Sequence, residues 1–250
     1  MADKYSNTWS QIDSNPNFWS ITTTPKFAIG QRAILIKTPH GNVLWDCLAL
    51  LDDATIAWIN SQGGLKAIVI SHPHYYTSHL TWAATFKCPV YISAADADWV
   101  QRADHWDLKR LLSDEPTQII PGITAITTGG HFPGSLVLHA ESAGEKPRLF
   151  VADTLVTVPS ALYAKNRPAG TTSFAFMWSI PNMIPLPPGE MRKMWKALEG
   201  WEFGSTHGAF TGLDVRDGDG GGSVKERVRE SMRIQARGEG WEGSLGSEWP

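Results

Sequence analysis

The sequence contains few cysteines and no long apolar run. Two cysteines, Cys47 and Cys88, occur among 250 residues, and they match no CxxC spacing and make no disulfide framework. We interpret them as buried free thiols and expect a reducing, cytoplasmic environment. No apolar stretch approaches the ~18–20 residues that span a bilayer. The polar start, MADKYSNTWSQIDSNPNFW, lacks the apolar core of a signal peptide. We therefore expect no membrane association.

Blocks of like charge are also absent. The chain has 22 Lys and Arg residues against 25 Asp and Glu, a formal net charge of -3, with both signs mixed along its length. Nucleic-acid-binding proteins usually present a clustered basic surface. We therefore expect a small-molecule substrate and no nucleic-acid partner, and the sequence leaves the oligomeric state open.

Short apolar segments alternate with helical ones. Strands are predicted at 32–37, 42–45, 65–70, 89–92, 118–127, 136–139, 149–152 and 201–204. Helices are predicted from Thr77 or Ser78 to about Phe86, at 94–103, on the face Met191, Met194, Trp195 and Leu198, and at 223–237. The pattern predicts one α/β domain over 1–250, with an N-terminal extension over about 1–25 and a C-terminal helix and tail over about 213–250.

Four of the eight histidines and one aspartate lie in loops at predicted strand ends. Such loops carry the ligand-binding and reactive groups of α/β folds. Imidazole nitrogens with a carboxylate oxygen suit zinc, or iron in a site of similar geometry. The His-x-His spacing lets two side chains of an extended loop point the same way. The candidate metal ligands are His72, His74, His131, Asp153 and His207.

The order of these motifs resembles that of the metallo-β-lactamase superfamily. A strand precedes His-x-His, followed by GGHFPGS at 129–135, VAD at 151–153 and STHG at 205–208, and NVLWDC at 42–47 also resembles a strand of that family. The resemblance extends over about residues 30–210. It implies a four-layer αββα sandwich, the metallo-β-lactamase fold.

The resemblance also implies roles for the candidate ligands. The three histidines His72, His74 and His131 would form the first metal site. Asp153 would bridge to a second site or complete it, and His207 would belong to that second site. Where the family has Asp-His, this chain has Tyr76 and Thr77. We therefore favour one zinc ion per chain, with iron as the alternative.

Several neighbouring residues have two interpretations. Tyr76 either packs beside the site or donates a hydrogen bond to water or to a substrate oxyanion. His79 is a substitute ligand or a supporting residue, and Asp46 closes a turn or supports the site. The segment 174–186, with Phe176, Met177 and Trp178, is either core or a wall that selects apolar substrates. Lys165 and Arg167 form a solvated loop pair or an anion clamp.

The resulting functional hypothesis is a zinc-dependent hydrolase of a small ester, thioester or lactone. Zinc would lower the pKa of a bound water toward ~7, and Asp153 and Tyr76 are the candidate catalytic residues. Two alternatives stay open. One is a mononuclear non-haem iron dioxygenase of the same superfamily, and the other is a degenerate metal-binding protein.

Overall fold

The structure, a computed structural model, describes residues 4–163, 168, 170–219 and 222–241. It divides into two compact units, residues 1–125 with 209–211, and residues 126–208 with 212–250. The Lys165 and Arg167 pair and the predicted tail beyond residue 241 lie outside the described residues.

The first unit is built on a seven-stranded sheet whose spatial order follows the chain. Its strands are β1 (Ser6–Ile12), β2 (Asn15–Thr24), β3 (Arg32–Thr38), β4 (Gly41–Trp45), β5 (Ala67–Val69), β6 (Val90–Ser93) and β7 (Lys109–Leu112). β1 to β4 pair antiparallel, and β4 to β7 pair parallel. β5 is buried along its whole length, as expected for a parallel strand covered on both faces.

Helices follow the parallel strands of this unit. They are α1 (Asp53–Ser61), a 3₁₀ helix (Pro73–Ser78), α2 (His79–Phe86) and a second 3₁₀ helix (Ala94–Trp99). The helix predicted at 94–103 is therefore shorter than expected. Ser93 caps it as predicted, because its Oγ accepts a hydrogen bond from Ala95 N at 3.2 Å.

The predicted N-terminal extension contributes the two strands β1 and β2 to the sheet. Asp52 connects this segment to α1. One carboxylate oxygen accepts from Thr55 N at 2.8 Å and caps α1, while the other accepts from Asn7 N at 2.9 Å. The Asn7 amide also donates to Leu50 O and Thr55 Oγ1, both at 3.0 Å. One side chain thus stabilises a helix start and holds β1 against it.

The second unit contains most of a six-stranded sheet, in the order β17-β16-β11-β10-β9-β8, and the boundary between the units falls within β9. The strands are β8 (Thr117–Ile120), β9 (Ile123–Thr127), β10 (Leu136–Ser142), β11 (Glu145–Ala152), β16 (Ser205–Gly208) and β17 (Asp214–Arg216). Two small sheets pair β12 (Val156–Thr157) with β13 (Phe174–Ala175), and β14 (Met177–Ser179) with β15 (Ile184–Pro185). A 3₁₀ helix (Pro159–Leu162), α3 (Pro188–Leu198) and α4 (Val224–Gly238) complete the unit.

Two strand predictions in this half of the chain were wrong. The segment 118–127 is a hairpin of β8 and β9, because Pro121 and Gly122 form its turn and Gly122 has a φ of 82°. The strand expected at 201–204 is displaced to β16. Trp201 and Phe203 pack against the core, whereas the polar STHG segment pairs in parallel with β11. His207 therefore lies within a strand.

The predicted apolar face of α3 and the predicted C-terminal helix are confirmed. Met191, Met194, Trp195 and Leu198 are the residues of α3 that face the core of the second unit. α4 begins one residue after Ser223, whose Oγ accepts from Glu226 N at 3.2 Å. Its buried side contributes Val224, Val228 and Met232 to the same core.

We predict that Asp52→Ala lowers the free energy of unfolding by about 1–2 kcal/mol, because it removes the cap of α1 and the acceptor for Asn7. Urea denaturation followed by circular dichroism measures the change. Asp52→Asn is the control, since its oxygen still caps α1 while its amide nitrogen cannot accept from Asn7 N, and it should recover only the capping part of the loss. Equal stability of Asp52→Ala and the unmodified protein would contradict this role.

Candidate metal centre

Four of the five predicted ligands come together. One ligand atom from each of His72, His74, His131 and Asp153 lies within 4.8 Å of the other three. His74 is exposed, and the other three side chains are buried. Among the described residues, the group comprises these four.

Parallel strand ends explain the position of His72. β4 and β5 run parallel, so Asp46, just past β4, lies beside Ser71, just past β5. Asp46 Oδ1 accepts from Ser71 N at 2.7 Å, and Oδ2 accepts from Ser71 Oγ at 3.0 Å. Asp46 adopts a φ of 60°, a left-handed conformation that aspartate tolerates better than most residues.

The same hydrogen bonds fix the tautomer of His72. Ser71 Oγ is 2.9 Å from His72 Nδ1. Because the serine proton goes to Asp46, Nδ1 of the neutral ring must be the donor to Ser71. The lone pair is then on Nε2, as a metal ligand requires. Asp46 thus supports His72 through Ser71, in line with one of the two interpretations of Asp46.

His74 turns towards His72 through a helical turn rather than an extended loop. Pro73 occupies the first position of the 3₁₀ helix, and His72 precedes that helix with an extended backbone. His74 Nδ1 lies 3.1 Å from His72 Nε2, with the ring centroids 4.8 Å apart. Two imidazole nitrogens that face each other so closely can share one cation as ligands.

The position of His131 depends on the two glycines that precede it and on a hydrogen bond to a backbone carbonyl. Gly129 and Gly130 both have positive φ values, of 67° and 94°. A Cβ at Gly130 would lie 2.8 Å from Met194 Sδ, a flexible side-chain atom that can shift, so the φ of 94° is the main reason that glycine is favoured here. His131 Nδ1 lies 3.2 Å from the carbonyl oxygen of Met177. A carbonyl only accepts, so Nδ1 carries the proton and Nε2 is left as the ligand atom.

A backbone irregularity positions Asp153. Ala152, the residue before it, has a φ of 44°, and the pairing of β11 with β16 shifts register between Phe150 and Ala152. A left-handed alanine costs about 1–2 kcal/mol. Such bulges redirect a side chain at a strand end. Here the bulge comes immediately before the only carboxylate of the group.

The fifth predicted ligand has other partners. His207 is fully buried in β16, with Nδ1 3.2 Å from Asp214 Oδ1 and Nε2 3.1 Å from Ser205 Oγ. Its ring stacks on Phe150 at a centroid distance of 4.8 Å. The structure therefore does not place His207 with the other four. Its assignment to a second metal site stays a prediction.

Tyr76 and His79 lie buried close to the His-x-His loop, but outside the group of four. His79 Nδ1 donates to the carbonyl of Tyr76, and burial lowers the His79 pKa. Burial, then the charges of Asp96 and Asp46, raise the pKa of the Tyr76 phenol. The Tyr76 hydroxyl and His79 Nε2 have no hydrogen-bond partner among the described residues. Ligation by His79 also stays a prediction.

The three proposed wall residues differ in their surroundings. Phe176 is fully buried in the core of the second unit, in line with the core interpretation of this residue rather than the wall. Met177 is half-buried and contacts His131 through its carbonyl. Trp178 is 58% exposed. The hairpin of β14 and β15 also exposes Met183 and Ile184.

Both cysteines are free and buried, as predicted. Burial raises the pKa of the Cys47 thiol to about 12, despite its contact with Ser78. Burial also raises the pKa of the Cys88 thiol to about 12. Neither thiol is a ready metal ligand, because thiolate is the ligating form.

Two contributors were not predicted from the sequence. The Ser71 hydroxyl could have been recognised, because it precedes His72 and follows a strand parallel to the one that ends at Asp46. The Met177 carbonyl gives no sequence signal, since every residue has a carbonyl.

Over the part of the chain that the structure describes, no helix is long and apolar enough to cross a membrane.

We predict that Ser71→Ala weakens zinc binding by about 10- to 100-fold, the range typical for loss of a hydrogen bond to a ligating histidine. Competition with a chromophoric chelator measures the dissociation constant. Ser93→Ala is the matched control, because Ser93 ends the neighbouring parallel strand and contacts no ligand histidine. Equal zinc affinities of the two variants would contradict the role of Ser71.

Comparison with known proteins places these features in a family context. A family model described as the metallo-β-lactamase superfamily matches residues 28–200. A Bacillus subtilis protein, the uncharacterized protein YmaE, is 36% identical over 220 residues, which are 88% of this chain and 73% of that protein.

Solved structures show the same fold. The DIM-1 metallo-β-lactamase exposed to ceftazidime has a TM-score of 0.62 at 10% identity, covering 93% of this chain and 98% of that one. The mono-zinc form of FIM-1 from Pseudomonas aeruginosa has a TM-score of 0.59 at 13% identity, covering 93% and 96%. The predicted α/β fold class, the metallo-β-lactamase fold, is confirmed.

Proposed function

Because the chain belongs to the metallo-β-lactamase superfamily, we propose that it is a metal-dependent hydrolase of a small ester, thioester or lactone. The observation that carries the proposal is the convergence of three imidazoles and one carboxylate within 4.8 Å. Three imidazoles, two of them buried, and a buried carboxylate brought so close together have the composition of a zinc-binding site.

The hydrogen bonds of the donor set are compatible with a bound ion. The hydrogen bonds of His72 to Ser71 and of His131 to Met177 leave Nε2 of both rings as the lone-pair nitrogen. His74 presents Nδ1 to the same place. When bound, zinc supplies a Lewis acid that polarises a carbonyl and acidifies water.

We assign the proton transfer to Asp153. It provides the only carboxylate of the group, and a carboxylate oxygen can accept the proton that an attacking water loses. Tyr76 is the proposed donor to the substrate oxyanion, because its phenol is protonated at neutral pH and its hydroxyl has no hydrogen-bond partner among the described residues. The oxyanion is stabilised only if a donor of this kind lies within hydrogen-bond reach of it.

We also propose one tightly bound ion per chain. A second ion would need its own carboxylate and imidazole set, and Tyr76 and Thr77 are neutral. His207, the proposed second-site ligand, is close to Asp214 and Ser205. FIM-1, a structural neighbour, was solved in a mono-zinc form.

Elemental analysis of dialysed protein, beside an accurate protein concentration, should give close to one zinc equivalent per chain. Chelation should abolish esterase and lactonase activity and lower the melting temperature, because a ligand of the native state stabilises it. One equivalent of iron would favour the dioxygenase alternative. Two equivalents would contradict the single-ion proposal, and activity and melting unchanged after complete metal removal would contradict the hydrolase proposal itself.

We propose an apolar substrate group as well. The Met177 carbonyl holds the β14–β15 hairpin beside His131, and that hairpin exposes Trp178, Met183 and Ile184. Exposed apolar side chains next to a reactive centre can cover an acyl chain.

Trp178→Ala should lower the ratio of kcat/KM for p-nitrophenyl octanoate to that for the acetate by about tenfold, because it removes apolar contact area for the longer chain. The melting temperature should change little, since the side chain is exposed. Trp99→Ala is the control, because both tryptophans are 58% exposed and Trp99 lies in the other unit. If Trp178→Ala leaves this ratio unchanged, the proposal that the hairpin contacts the substrate is contradicted.

A further inference from the structure

The geometry points to Gln235, in the C-terminal helix α4, as a positioning residue for the metal ligand His131. Gln235 lies outside the stretch 28–200 that matches the family model. The inference concerns the orientation of His131 and rests on the metal-binding part of the proposed function.

The first step is the contact between Gln235 and the backbone of Phe176. Gln235 Oε1 accepts a hydrogen bond from Phe176 N at 2.9 Å, and Gln235 Nε2 donates to Phe176 O at 2.9 Å. Phe176 lies between β13 and β14, where neither small sheet continues. The side-chain amide therefore pairs with both backbone groups of Phe176, and it shares the carbonyl with Leu186 N.

Strand geometry determines where the carbonyl of Met177 points. In an extended chain, the N–H and C=O of one residue point to the opposite edge from those of the next. Gln235 and Leu186, whose N–H donates to Phe176 O at 2.9 Å, both lie on the Phe176 edge. The carbonyl of Met177 consequently points the other way, to His131 Nδ1 at 3.2 Å.

The direction of this carbonyl determines the tautomer of the His131 imidazole. The Met177 carbonyl can only accept, so it holds the His131 proton on Nδ1 and leaves Nε2 for the ion. If the Phe176–Met177 segment rotates, this acceptor moves away and both tautomers become accessible. Gln235 thus acts on the ligand through two peptide units without touching it.

α4 also provides a matched control. Ser231, one helical turn before Gln235, accepts hydrogen bonds from Ser173 N at 2.8 Å and Phe174 N at 3.1 Å. It attaches the same helix to the same segment, but its contacts end before Phe176. If the variants act only by loosening α4, changes at Ser231 and Gln235 should weaken zinc binding equally. If Gln235 orients His131, only changes at Gln235 should weaken zinc binding.

The test measures zinc affinity in the full chain. Gln235→Ala and Gln235→Met should each raise the zinc dissociation constant about tenfold, the lower end of the range for residues that support a ligand. Ser231→Ala should stay within about twofold of the unmodified protein. The account is overturned if both Gln235 variants bind zinc as tightly as the unmodified protein, or if Ser231→Ala weakens binding as much as they do.

A second readout needs no metal. In ¹⁵N-histidine-labelled, metal-free protein, long-range ¹H–¹⁵N spectra should show His131 as the Nδ1–H tautomer, and as a tautomer mixture in Gln235→Ala. An Nδ1–H tautomer unchanged in Gln235→Ala would overturn the role of Gln235. If the unmodified protein binds no zinc, the metal proposal fails, and the spectra still decide on Gln235.

Discussion

A neutral imidazole has one N–H and one lone pair, and the chemistry of this site depends on which ring nitrogen carries the proton. Ser71 fixes the proton of His72 on Nδ1, and the carbonyl of Met177 does the same for His131. Each ring therefore carries its lone pair on Nε2, the nitrogen that can act as a ligand. The hydrogen bonds that surround the ligands thus determine whether the four side chains can bind one ion.

Each of these hydrogen bonds depends on a regular element of its own unit. Parallel pairing of β4 and β5 places Asp46 beside Ser71, because parallel strands end at the same edge of a sheet. In the second unit, Met194 of α3 lies beside Gly130, and α4 holds the backbone of Phe176. The ligand loops are thereby anchored to helices and strands of their own unit.

Much of the fold and of the ligand set could be predicted from the sequence, because both depend on local patterns. The apolar run before Ser71, the glycines before His131 and the apolar face of α3 are visible in short windows of sequence. The failures have a tertiary origin. β16 forms from the polar STHG segment because β11 lies beside it, and Phe176 is buried by a core that its own segment does not reveal. The orientation of His207 towards Asp214 depends on β16 pairing with β17, which no sequence spacing specifies.

The central claim is that one ion is bound by defined atoms of four side chains. Anomalous diffraction at the zinc edge, from crystals of protein purified without chelator, tests it most directly. The account predicts one peak per chain, with His72 Nε2, His74 Nδ1 and His131 Nε2 at about 2.0–2.1 Å and an Asp153 oxygen at about 2.0–2.2 Å. A further position open to water is also expected, because hydrolysis requires one. A peak elsewhere, or ligation through Nδ1 of His131, would contradict the account.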